Sequence, residues 1–141
     1  MKPVRILVVD DNPTNLKLVS AVLEFDGHNI FQANDAETAQ QIIKMNRPDL
    51  ILMDIALPGM DGLTLTRQLK ADAETDSIVI VALTAFAMKG DDQKACDAGC
   101  DGYITKPIDT RKLSGLVAEF LEQNLIKKSR EDAREKQKEG K

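Results

Sequence analysis

One histidine, two cysteines and no apolar run much longer than about six residues leave this chain without the materials for several kinds of protein. A membrane-spanning helix takes roughly 20 consecutive apolar residues, and runs such as IVIVAL at 78–83 fall far short of that. The first residues, MKPVRILVVDD, pass directly into a strand-like run and a pair of acids, which is not the pattern of a cleavable signal peptide. A cytoplasmic location is the expectation. Cys96 and Cys100 lie four apart near a helix end and cannot supply the four ligands of a structural zinc site, so they read as reduced packing residues. His28, in a Gly-His-Asn stretch, reads as a solvent-facing loop residue without a role. The chain has no histidine placed to carry phosphate, no Gly-rich nucleotide loop of Walker type and no kinase signature. Basic residues are not in excess: 19 Lys and Arg against 23 Asp and Glu leave a net charge of -4 and no overall attraction to nucleic acid.

What is present is a regular alternation. With 141 residues, 43% of them apolar, the chain is sized for one domain that buries roughly two-thirds of its unfolded surface. Strand-like runs and amphipathic segments follow one another: strand 4–9, helix 13–25, strand 29–33, helix 35–46, strand 50–53, helix 61–72, strand 78–83, helix 87–98, strand 103–105, helix 110–126. Leu16, Val19, Val22 and Leu23 recur at helical spacing in the first helix, as do Leu113, Leu116, Val117, Phe120 and Leu121 in the last. Asn12-Pro13, Asn34 or Asp35, and Asp109 or Thr110 are helix-start signals. Five βα units predict a parallel sheet with helices on both faces. Residues 1–126 form the domain. Residues 127–141 depart in composition, with seven basic and four acidic residues and Ala133 alone apolar. They read as a helix extension or a disordered tail.

Four strand-like runs end on a polar side chain: Asp10-Asp11, Asp54, Thr84 and Lys106-Pro107. A parallel sheet lines up the carboxyl ends of its strands, and ligands of open α/β sheets bind outside that edge. Aspartates gathered there repel unless a cation sits among them, and all-oxygen ligation is what a hard ion such as Mg²⁺ takes. A lysine and a hydroxyl beside such an ion suit phosphate oxygens. The constellation therefore predicts phosphoryl transfer onto a carboxylate.

ILVVDDNPTN, LILMDIALPGMDG, VALTAFAMKGD and DGYITKP, in this order and spacing, resemble the signature segments of two-component response-regulator receiver domains over roughly positions 3–125. The resemblance implies a flavodoxin-like, chemotaxis-receiver fold: a five-stranded parallel sheet of order 2-1-3-4-5 with five surrounding helices. It also implies roles. Asp54 would be the phosphoacceptor, Asp11 a direct ligand of Mg²⁺ (or Mn²⁺), Asp10 a ligand mostly through water, and Ala56 a ligand through its backbone carbonyl. Lys106 and Thr84 would contact the phosphoryl group, Ala85 would keep the pocket open, and Tyr103 would switch inward. A cis Lys106-Pro107 bond would aim the lysine at the site. The donor would be a sensor histidine kinase or a histidine phosphotransfer protein. The output would be a phosphorylation-dependent surface built from helix 87–98, strand 103–105 and helix 110–126 that binds a downstream target protein, without nucleic-acid contact or membrane insertion. The chain would be a single-domain bacterial regulator of the cell-cycle or phosphorelay type, the alternatives being a receiver from a hybrid kinase or a phosphorylation-independent scaffold. It would not be an enzyme beyond taking up and slowly losing its own phosphoryl group.

Two rival chemistries fit the residues less well. A haloacid-dehalogenase-type phosphatase needs a second acid two residues after the nucleophile, and position 56 is alanine. A flavodoxin's first loop must cradle phosphate, whereas Asp10-Asp11 repels it. Ala56 and Phe86 border the path of a hydrolytic water in receivers, and neither side chain hydrogen-bonds water. A long phosphoryl lifetime is the expectation.

Overall fold

In the computed structural model, residues 3–57, 59–84 and 91–123 are described. The strands are β1 (Arg5–Val9), β2 (Asn29–Ala33), β3 (Leu50–Asp54), β4 (Val79–Thr84) and β5 (Gly102–Thr105). The helices are α1 (Pro13–Phe25), α2 (Ala36–Met45), α3 (Gly62–Ala71) and α4 (Asp91–Ala98), and α5 over 110–123. All pairings are parallel, and the sheet order is β2-β1-β3-β4-β5.

The pattern of burial explains the order. Every residue of β3 and β4 is buried, as is all of β1 after Arg5, which is what strands covered on both faces require and why they read as continuous apolar runs. The flanking strands are the less apolar ones. β2 (NIFQA) carries Asn29 and Gln32 to solvent, and β5 is four residues long. Side chains of successive residues point to opposite faces. Ile6, Val8, Leu50, Leu52, Val79, Val81 and Leu83 therefore meet α1 and α5 on one side, while Leu7, Val9, Ile51, Met53 and Ile80 meet α2 and α3 on the other.

Caps set the helix starts. Asn12 accepts from the N–H groups of Thr14 and Asn15, Asp35 from Thr38, and Asp61 from Thr64. These bonds satisfy donors that have no partner inside the helix. The Thr38 backbone N–H holds the Asp35 carboxyl below the usual carboxylate range. α5 starts after Asp109, whose carboxylate accepts from Arg111 N–H at 3.0 Å. The expected strands and helices match these elements to within one residue at most ends. The part of the fourth helix expected at 87–90, and everything after 123, lies outside the described residues.

His28 is a correction. It is 5% exposed, not a solvent-facing loop residue. Its Nδ1 accepts the Val4 N–H at 3.1 Å while Asn29 N–H donates to the Val4 carbonyl at 3.0 Å, so the imidazole extends the β1–β2 pairing by one rung. A composition-based reading of a Gly-His-Asn loop has no access to that contact.

Candidate functional site at the carboxyl edge of the sheet

Parallel register brings the strand ends together. Val9 is level with Met53, Asp54 with Leu83, and Thr84 with Thr105, so Asp10, Asp54, Thr84 and Lys106 all fall on one edge. Asp10 is fully buried, Asp54 is 4% exposed and Thr84 3%. Oxygens of Asp10, Asp11 and Asp54 lie within 4.8 Å of one another, with Asp11 at the exposed rim. Lys106 N–H donates to the Thr84 carbonyl at 2.7 Å, which ties the last two site residues together. The Lys106-Pro107 bond is cis.

The two buried aspartates use the same device. Asp10 Oδ1 accepts from Asn12 N–H at 2.9 Å and Asp54 Oδ1 from Ala56 N–H at 2.9 Å, each two residues on. Their other oxygens share one cation: Lys106 Nζ is 3.1 Å from Asp10 Oδ2 and 3.1 Å from Asp54 Oδ2. Among the described residues, three carboxylates against one ammonium leave an excess of two negative charges in a small, partly dry space. Unit charges about 4 Å apart repel by about 4 kcal/mol at an effective dielectric of about 20. Burial raises the Asp54 carboxyl above its ordinary value, and the Ala56 N–H and Lys106 only partly oppose this. For Lys106, burial pulls the ammonium down, but its bonds to Asp10 and Asp54 outweigh that and the net shift is upward. The oxygen donor set and its charge excess fit a hard divalent cation.

α3 is pressed against this edge. A Cβ at Gly62 would overlap the Asp54 carbonyl oxygen and stand 2.9 Å from Met53 Cγ, so glycine is what lets the helix start directly below the aspartate.

Other expected positions lie apart or are not described. Tyr103 is 49% exposed on β5. It borders an open pocket of about 320 Å³ with Gln93, Cys96 and Cys100. Cys96 and Cys100 are free thiols, but only Cys100 is half-buried; Cys96 is exposed rather than packed, because it falls on the outer side of α4. Ala85 and Phe86 lie outside the described residues. Asn15 went unnoticed in the sequence. Its amide Nδ2 donates to Asp10 Oδ2 at 3.4 Å.

A doubly wound parallel sheet of this order, with an acidic pocket and one lysine at its carboxyl edge, defines the class of small phospho-signalling α/β domains. The response regulator receiver domain model matches residues 6–118, and the chain belongs to that family. It is 39% identical over 119 residues to the polar-differentiation response regulator DivK of Brucella anthropi, covering 84% of this chain and 97% of that one. A putative response regulator from Chloroflexus aurantiacus superposes with a TM-score of 0.81 at 32% identity, over 85% of this chain and 98% of the other. The receiver domain of a sensor histidine kinase from Pseudomonas aeruginosa, solved with a magnesium ion coordinated in the active site cleft, gives 0.77 at 32% identity, over 85% and 98%. The protein is thus a two-component response-regulator receiver. Among the described residues no helix is long and apolar enough to cross a membrane.

Proposed function

We propose that Asp54 accepts a phosphoryl group from the phosphohistidine of a sensor histidine kinase or a histidine phosphotransfer protein. The observation that carries this reading is the single ammonium of Lys106 bridging Asp10 and Asp54 at 3.1 Å each. That arrangement keeps a nucleophilic carboxylate buried, oriented and one side-chain movement away from exposure to phosphorus.

Asp54 Oδ1 stays on the Ala56 N–H while Oδ2, released by Lys106, attacks. A new O–P bond forms as the P–N bond to the donor histidine breaks, and the electron pair returns to the imidazole. Lys106 follows the charge onto the phosphoryl oxygens, with the Thr84 hydroxyl beside it and Ala85 leaving room. Asp10, Asp11, Asp54 and the Ala56 carbonyl are the residues to hold Mg²⁺ or Mn²⁺. Such an ion, when bound, neutralises the carboxylates and the transferring group so that an anion can attack an anion. The protein takes up and slowly loses this group without turning over an external substrate.

Tyr103 and the α4–β5–α5 face then present a changed surface to a downstream protein in the cytoplasm. Residues 1–126 act as the receiver and 127–141 as a charged tail. The likeness to DivK, of which the chain covers 97%, supports a receiver that acts alone. The likeness at 32% identity to the receiver of a sensor kinase supports the second reading, a receiver within a hybrid kinase.

Intact-mass measurement after incubation with Mg²⁺ and a small acyl phosphate tests the chemistry. Wild type gains about 80 Da, one phosphoryl group, and Asp54→Asn gains nothing. Equal modification of both proteins, or of neither, overturns the assignment.

A further inference from the structure

We infer that Asn15 is a positioning residue that keeps the Asp10 carboxylate aimed into the cation site once Lys106 turns away from it. This rests on the reading of Asp10 as a cation-holding residue.

The starting point is an unusual wiring of the α1 N-terminus. Asn12 is the N-cap, so Asn15 occupies the third helical position. A side chain there ordinarily reaches back to the backbone N–H of the cap residue. Here that N–H already donates to Asp10 Oδ1 at 2.9 Å. The Asn15 side chain reaches one step further and donates to Asp10 Oδ2 at 3.4 Å. Both oxygens of Asp10 are thereby tied to the first turn of α1.

Asp54 is held differently. Its Oδ1 has the Ala56 N–H, and its Oδ2 has Lys106 as the one hydrogen-bond donor among the described residues. When Lys106 moves, Asp54 Oδ2 becomes free, which suits an attacking atom. Asp10 Oδ2 does not become free, which suits a ligand that must not swing. A divalent cation held at Asp10 would repel the Lys106 ammonium from the same carboxylate. The Asn15 bond is long while Lys106, at 3.1 Å, holds the same oxygen; it is the donor left to shorten when Lys106 leaves. A neutral amide does this without adding a fourth negative charge, as a glutamate in the same position would.

Partners that orient a metal ligand are worth roughly 10- to 100-fold in affinity. Calorimetric titration of the full chain with MgCl₂ tests the inference. Asn15→Ala should bind Mg²⁺ about tenfold more weakly, with an unchanged unfolding midpoint in the absence of Mg²⁺ because the Asn12 cap remains. Asn15→Gln, which keeps the amide, should recover part of the loss. In a Lys106→Ala background the loss from Asn15→Ala should shrink, since Asn15 then already holds Asp10 alone before the ion arrives. Unchanged affinity in Asn15→Ala overturns the inference, and so do equal losses in the two backgrounds, because additivity means the residues act independently. A wild-type protein that binds no Mg²⁺ overturns the cation reading itself, a result distinct from either.

Discussion

The two edges of the sheet handle charge in opposite ways. At the amino edge, the charged side chains Arg47, Asp49, Lys70 and Asp101 each find a complement. Lys70 Nζ donates to Asp101 Oδ2 at 2.9 Å and to the Ile78 carbonyl at 2.8 Å, and Asp101 also accepts the Ile80 N–H at 2.8 Å. Asp49 accepts the Arg5 N–H at 2.9 Å, and Arg47 donates to the Glu74 carbonyl at 3.0 Å and to the Ser77 hydroxyl at 2.5 Å. At the carboxyl edge, Asp10, Asp11 and Asp54 crowd around one lysine. Carboxylates at one edge hold strands in register. At the other they stay underneutralised, and that excess of negative charge fits a hard divalent cation. Stability and function are thus separated by the length of a strand.

Removing a carboxylate should have opposite effects on stability at the two edges, while the largest effect of all is expected at Lys106. Lys106→Ala leaves two buried carboxylates without their shared cation and should cost about 3 kcal/mol, the scale for breaking a buried pair. Urea unfolding at pH 7 measures this, and added Mg²⁺ should restore much of the loss; a loss indifferent to Mg²⁺ would break the contrast. Gly62→Ala should cost about 2 kcal/mol, in the range for overpacking, because the new methyl meets the Asp54 backbone. It should also slow phosphoryl uptake from a small donor, since α3 and the nucleophile cannot both keep their places.

The sharpest pair is one substitution made at each edge. Asp101→Asn should destabilise by about 1 kcal/mol by weakening charge-assisted bonds. Asp54→Asn should stabilise the Mg²⁺-free protein by a similar amount. The sign follows from protonation. Burial raises the Asp54 carboxyl above its unfolded value of 3.8, so the folded state holds the proton more tightly, and stability falls as pH rises through and above that value. The gap between Asp54→Asn and wild type should therefore widen between about pH 4 and pH 7 in Mg²⁺-free buffer, and a gap constant with pH would contradict it.

The smallest effect concerns the seal of the amino edge. Burial pushes the Cys100 thiol up to about 11, whereas Cys96 is exposed. Since the thiolate is the reactive form, iodoacetamide at pH 8 should label Cys96 first and Cys100 far more slowly. Mass spectrometry of the digested protein reads both sites.

Much of this was legible before any coordinate. β3 and β4 are buried on both faces, so their apolar runs have no polar interruptions, and the helix starts carry cap residues whose chemistry is local. Asp10, Asp54, Thr84 and Lys106 were legible because a parallel sheet collects strand ends wherever the runs stop. His28 was misjudged, because its burial depends on Val4, which lies 24 residues away. Asn15 carries no such signal, because nothing in a first helical turn announces that its amide turns back to Asp10, 5 residues earlier, rather than out to solvent.

The sequence by itself determined the alternation of elements, the sheet type and the side chains delivered to one edge, since these follow from periodicity and from where apolar runs end. Only the tertiary structure decided that one ammonium is shared between Asp10 and Asp54, that Asn15 backs one of them alone, and that glycine at 62 is a steric necessity. Those are matters of ångströms: Lys106 meets Asp54 across 52 residues, and even Asn15, 5 residues from Asp10, and Gly62, next to the Asp54 carbonyl, find their contacts only once strand ends and helix starts are packed together.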